Sequence, residues 1–188
     1  MYRITSIFIF CAIFCDSCRI NDTEVLFSTP KFSPPKRLAF TQLSGDVSTH
    51  DRFDKTDAYY VRSMQYALKP YKLDALQYVD CCLDFNNQNA DEIKSICATN
   101  NVDGVLVAQL KFETLKNCNK TKNPDSEFDT EVEIKLYGSD GKLKIHTLHN
   151  TIKMQSYKQP PQPILAIKDG VSNAVRKLAI EMNLEKNP

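Results

Sequence analysis

The chain has no tryptophan, only five glycines and three histidines in 188 residues, and no surplus of either charge: 24 Lys and Arg stand against 23 Asp and Glu. Each shortage closes off a class of function. Balanced charge lacks the basic footprint by which nucleic-acid binders engage phosphate, so no nucleic-acid partner is expected. The few glycines build no Gly-rich phosphate loop, and neither a nucleophile elbow nor an H-E-x-x-H zinc pair occurs. No apolar run approaches the roughly 18–20 residues that cross a bilayer as a helix. Nothing here implies a cofactor. What remains is the composition of an ordered domain, 42% hydrophobic and 10% aromatic, all of the latter Phe and Tyr.

The N-terminus has an organisation of its own. Arg3 precedes a mostly apolar stretch, residues 4–14, and the small residue Ser17 stands just before Cys18. This is the three-part layout of a secretory signal. A Cys directly after a small residue at the end of a signal resembles a bacterial lipobox, in which that Cys is acylated and becomes the mature N-terminus. Cys15 sits where Leu is usual, and Asp16 is an odd neighbour. The expectation is a signal peptide over 1–17 and lipidation at Cys18, with ordinary cleavage after Ser17 and simple secretion as the alternative. Acyl chains such as palmitate would hold the protein to a membrane, since stable anchoring takes more than one chain. The expected location is the cell envelope, as an outer-membrane lipoprotein.

Residues 18–35 include Asn21, Asp22, Ser28, Thr29, Pro30, Ser33, Pro34 and Pro35 with little apolar periodicity. They read as a flexible, lipid-anchored tether. A single domain is then expected over 36–188, enough chain to bury a core unaided.

Within it, 36–42 alternates around Leu38 and Phe40 as a first strand. Residues 54–69 place Tyr60, Met64, Ala67 and Leu68 on one helical face, and Pro70 ends that helix. A short strand is expected over 76–79 and a second helix over 89–101, with Asn89 as its cap and Ile93, Ile96 and Cys97 on its apolar face. Residues 105–112 follow as a strand whose run Val105-Leu106-Val107 suggests burial on both faces. Phe128, Thr130, Val132, Ile134 and Leu136 alternate as a half-buried strand, and Gly138-Ser139-Asp140-Gly141 turns the chain back. On the returning strand Leu143 and Ile145 are odd-numbered but Leu148, Ile152 and Met154 even, so a β-bulge is expected between His146 and His149. A long helix closes the chain over 163–184, with Ile164, Ile167, Val171, Val175, Leu178 and Met182 on one face. The expected fold is α+β, an α/β sandwich in the order β-α-β-α-β-β-β-α, a mixed sheet with helices packed on it.

Chemistry-bearing residues are sparse. Cys81, Cys82, Cys97 and Cys118 remain after the signal, an even number in an oxidising compartment, and Cys81 or Cys82 to Cys97 is the nearest disulfide pairing in sequence. The spacing fits no zinc pattern. His146 and His149, three apart on a strand, should point to opposite faces and share no metal, so they read as solvated strand residues. The loop carrying Asp46, His50, Asp51 and Asp54, with Asp57 beyond it, is the most chemical-looking stretch and a candidate binding loop. Carboxylates are also favoured at a helix start for electrostatic reasons alone. No metal site and no catalytic residue are expected. The sequons at Asn21 and Asn119 are taken as chance.

The segment DEIKSICATNNVDG running into VLVAQL, and the hairpin EIKLYGSDGKL, carry a resemblance. With the element order above, this chain is similar to bacterial envelope α/β domains: the outer-membrane activators of penicillin-binding proteins, the curli-secretion pore lipoprotein and the N-terminal domain of the TolB translocation protein. The resemblance implies protein-binding and assembly roles and supplies no catalytic residues; the long membrane-inserting hairpins of the pore-forming members are missing here. The functional expectation is therefore a non-enzymatic envelope lipoprotein that presents a sheet edge or the loop at 43–52 to a protein partner. Two alternatives stand beside it. One is an exported small-molecule or glycan binder, or weak hydrolase, using the loop at 46–57. The other is a structural subunit forming a homo-oligomer.

Overall fold

A computed structural model describes residues 23–30, 32–44, 56–114, 128–151 and 163–187. Within them lie six strands, β1 (Thr23–Ser28), β2 (Arg37–Thr41), β3 (Ala75–Val79), β4 (Gly104–Thr114), β5 (Phe128–Gly138) and β6 (Leu143–Thr151). Three helices accompany them: α1 (Thr56–Leu68), α2 (Ala90–Asn100) and α3 (Pro163–Glu181). The fold is α+β, as expected. The strands form one mixed sheet in the order β1-β6-β5-β4-β2-β3, in which β2 pairs in parallel with both β3 and β4 and all other neighbours are antiparallel.

Burial follows the strand period. Leu38 and Phe40 of β2, Leu106, Ala108 and Leu110 of β4, and Val132, Ile134 and Leu136 of β5 face α1 and α3 in the main core. Ala39, Val105 and Val107 turn the other way, onto Ile93 and Cys97 of α2 and onto Leu83 and Phe85. Strands β2 and β4 are thus covered on both sides, as the run Val105-Leu106-Val107 indicated for β4. Helix α3 buries Ile167, Val171, Ala174, Val175 and Leu178, one stripe at helical spacing that Met182 continues just past its end. Each large apolar side chain so buried contributes about 1.5–3 kcal/mol against exposure.

Both ends of α2 are fixed by asparagine. Asn89 caps the start, its side chain accepting from the Asp91 backbone N–H at 2.9 Å. Asn101 ends the helix in the left-handed region at φ 52°. Two residues on, Asp103 accepts from the backbone N–H groups of Lys36 and Arg37 and from the Arg37 guanidinium at 2.7 Å, tying the turn before β4 to the start of β2. The hairpin turn at Gly141 needs glycine twice over. Its φ is +75°, and a Cβ there would stand 2.5 Å from the Ala90 carbonyl oxygen at the start of α2.

Three sequence expectations are corrected. First, part of the expected tether is structure: β1 lies within 18–35 and pairs with β6, so the folded domain includes residues ahead of 36. Second, β6 itself carries no bulge between His146 and His149; the shift opposite His146 and Thr147 falls on β1, where Leu26 is the extra residue. Register runs unbroken from Ile145 to Thr151 against β5, and the irregularity lies at the hairpin end, where Leu136 opposes Ile145 and Tyr137 opposes Leu143. The apparent parity slip arises because the core positions after Ile145 are filled by polar residues, Thr147 and His149, both buried. Third, Cys81, Cys82 and Cys97 are free thiols. Cys97 lies inside the α2 core and Cys81 packs against it, while Cys82 is exposed, since neighbours in extended chain point to opposite sides. Cys118 and the loop residues Asp46, His50, Asp51 and Asp54, like Cys18, lie outside the described residues.

Candidate functional site

Among the described residues, the sheet face that carries α2 is covered only in part. Beyond α2, strands β4, β5 and β6 present Lys111, Glu131, Glu133, Lys135 and His146 side by side, because in an antiparallel sheet every second residue of each strand faces the same way. Lys111 Nζ lies 2.8 Å from Glu131 Oε1 and 2.9 Å from Glu133 Oε1. The second oxygen of Glu133 meets His146 Nε2 at 2.8 Å. Lys135 donates to the Phe85 carbonyl at 2.8 Å and sits 4.0 Å above that ring, whose edge approaches the His146 ring with centroids 5.8 Å apart.

These contacts decide what the array can do. The hydrogen bond from His146, with the Lys111 ammonium second, holds the Glu133 carboxyl down to about 2 against an ordinary 4.5. Both its oxygens are occupied, so at neutral pH it is a poor general base. Burial lowers the Lys135 ammonium. The array is a polar surface tied to itself. Because the folded Glu133 holds its proton less tightly than the unfolded chain does, its stabilisation is complete above pH 4.5 and is lost as the pH falls toward about 2. Urea titrations across that window should show a steeper acid loss for the native protein than for Glu133→Gln; parallel curves would refute this assignment.

The array continues onto an edge. β1 closes the sheet, with Phe27 opposite His146, and a register shift at Leu26 turns both residues outward, 47% and 44% exposed for Leu26 and Phe27. Among the described residues β1 pairs with β6 alone, and an edge strand with two exposed apolar side chains is a ready surface for another chain.

At the hairpin end of the sheet lies a cleft of about 520 Å³ between residues 32–36 and the β5–β6 turn, lined by Phe32, Pro34, Lys36, Asp103, Tyr137 and Ser139. Its carboxylates are already engaged, Asp103 by Arg37 and the nearby Asp140 by Lys144 at 2.8 Å. Gly104 forms part of its wall, where a Cβ would stand 3.0 Å from the Tyr137 carbonyl oxygen.

The two histidines do face opposite ways, as expected, but neither is simply solvated. His146 belongs to the array. His149 is 1% exposed beneath α3, its Nδ1 2.6 Å from Thr23 Oγ1 on β1. Among the described residues no group of three or more His, Cys, Asp or Glu side chains could hold a metal. Sequence reasoning missed the Lys111–Glu133–His146 array. The hairpin turn was the available signal, since it sets the register that brings β6 alongside β5.

No family model matches the sequence, and no curated protein matches it. Among solved structures the fold is similar to the PelC dodecamer from Paraburkholderia phytofirmans, with a TM-score of 0.53 and 10% identity over 88% of this chain and 99% of that one. A Leu-to-Met variant of the same dodecamer gives 0.52 at 9% identity, covering 87% and 99%. A neuraminyllactose-binding hemagglutinin homolog from Helicobacter pylori follows at 0.38 and 11% identity, over 83% and 87%. At these identities the likeness to PelC is one of fold.

Proposed function

We propose that this chain is an exported, lipid-anchored cell-envelope protein that works by binding and assembly rather than by catalysis. The observation that carries the reading is the β1 edge. It offers Leu26 and Phe27 outward beside a charged array whose groups are too fully engaged to act as acid or base. The lipobox-like Ser17-Cys18 supports the anchor, and the resemblance to envelope lipoprotein domains supports the compartment. The similar PelC structures are dodecamers, which favours a second copy of this chain among its partners.

The test compares the full-length protein with Cys18→Ala in a bacterial host. The native chain should gain several hundred daltons and partition with membranes; the variant should do neither. An unmodified, soluble native chain would remove the anchor. Sedimentation of the soluble variant tests assembly separately, and a monomer at high concentration would remove that half of the reading.

A further inference from the structure

β1 changes where an anchor meets the domain. Between Cys18 and Thr23 there are five peptide steps, about 17 Å at full extension. β1 runs antiparallel to β6, with Thr23 opposite His149, and His149 in turn opposes Val132 of β5. Four residues of β5 lie beyond that level toward Phe128, which pairs with Thr114 at the end of β4. At about 3.4 Å per residue they reach about 14 Å past Thr23, consuming most of the available chain. In the other direction Gly138 lies six residues from Val132, about 20 Å, so the hairpin end is beyond the reach of the anchor.

We infer that the sheet end bearing Thr23, Thr114, Phe128 and Thr151 is held against the phospholipid headgroup surface, with the β5–β6 hairpin and its cleft directed away from it. The inference rests on acylation of Cys18. The domain is therefore apposed to the bilayer rather than standing off on a long tether. Its cleft, and the ion pair Arg37–Asp103 beside it, face the aqueous side, where a partner could reach them.

The absence of tryptophan supplies the probe. Glu24, exposed at the start of β1, and Ser139, exposed in the hairpin, are each replaced in the full-length acylated protein, as Glu24→Trp and Ser139→Trp. Each variant is bound to phosphatidylcholine vesicles carrying a nitroxide-labelled headgroup. Glu24→Trp should lose most of its emission on binding and Ser139→Trp almost none. Inserting a flexible Gly-Ser segment after Asp22 should restore the Glu24→Trp emission while the protein still floats with the vesicles. Equal or stronger quenching at Ser139, or no quenching at Glu24 in protein that floats, would overturn the orientation. Protein that neither gains acyl mass nor floats would overturn it too, and would show that the anchor reading was the part that failed.

Discussion

Replacing Phe40 with alanine should lower the free energy of unfolding by about 3–5 kcal/mol, the cost of truncating a large side chain in a core that cannot collapse around the gap. Phe40 is wholly buried in β2, which is flanked by β3 and β4 and so cannot shift without moving both. Its ring meets the Tyr60 ring edge-on, with centroids 6.2 Å apart at 80°, and lies 5.5 Å from Tyr78 at a tilt of 45°. Such pairs are worth about 0.5–1.5 kcal/mol beyond the area they bury. The neighbour Tyr60 is itself wholly buried, and that burial raises its phenol well above the usual range. Urea unfolding with an unchanged slope reads the loss. Phe27→Ala, on the exposed edge, should stay within about 0.5 kcal/mol of the native protein. A Phe40→Ala cost as small as that would mean the packing of β2 on α1 is wrong.

The elements that sequence patterning identified are those whose periodicity is complete within themselves. Helix α3 repeats its apolar residues over five turns, and the β5 alternation runs unbroken from Val132 to Leu136 before a turn that Gly141 dictates. β1 failed that test. It has six residues, its Val25–Phe27 alternation is broken by the bulge at Leu26, and its partner β6 is more than a hundred residues away. Pairing with β6, not local preference, makes it a strand. The proline-rich neighbourhood then made a tether the natural reading. The misplaced bulge has a related cause. Hydrophobicity marks the core face only where the core is apolar, and at Thr147 and His149 the buried face is polar. For the candidate site, alternation identifies Glu131, Glu133 and Lys135 as outward-facing. Their convergence with Lys111 and His146 depends on strand register across three strands, which composition does not encode.

His149 is the second residue whose loss should be large, because it joins three elements from a buried position. An amide nitrogen only donates, so the contact of Asn173 Nδ2 on α3 with His149 Nε2 at 3.4 Å makes Nε2 the acceptor. The ring proton then sits on Nδ1 and is donated to Thr23 Oγ1 on β1. His149→Ala removes both bonds, opens a cavity between β6 and α3, and should cost about 2–4 kcal/mol near neutral pH. It should also speed amide exchange across β1, which has the sheet on one side only. The same geometry fixes a pH dependence. A second proton would place Nε2–H against the Asn173 amide hydrogens, and burial, opposed by Asp169 on α3, lowers the imidazole below its ordinary 6.5. The unfolded chain therefore takes up a proton that the folded chain refuses. The contribution of His149 is complete above pH 6.5 and is lost as the pH falls below it toward the lowered folded value. The gap in stability between the native protein and His149→Ala should accordingly narrow on acidification to about pH 5, a range in which histidine is the ordinary side chain to titrate. Glu133, held near 2, stays ionised throughout, and groups common to both proteins cancel in the difference. A gap that stays constant or widens toward acid would show that His149 is protonated in the fold, and with it that Nε2 is not the acceptor of the Asn173 hydrogen bond.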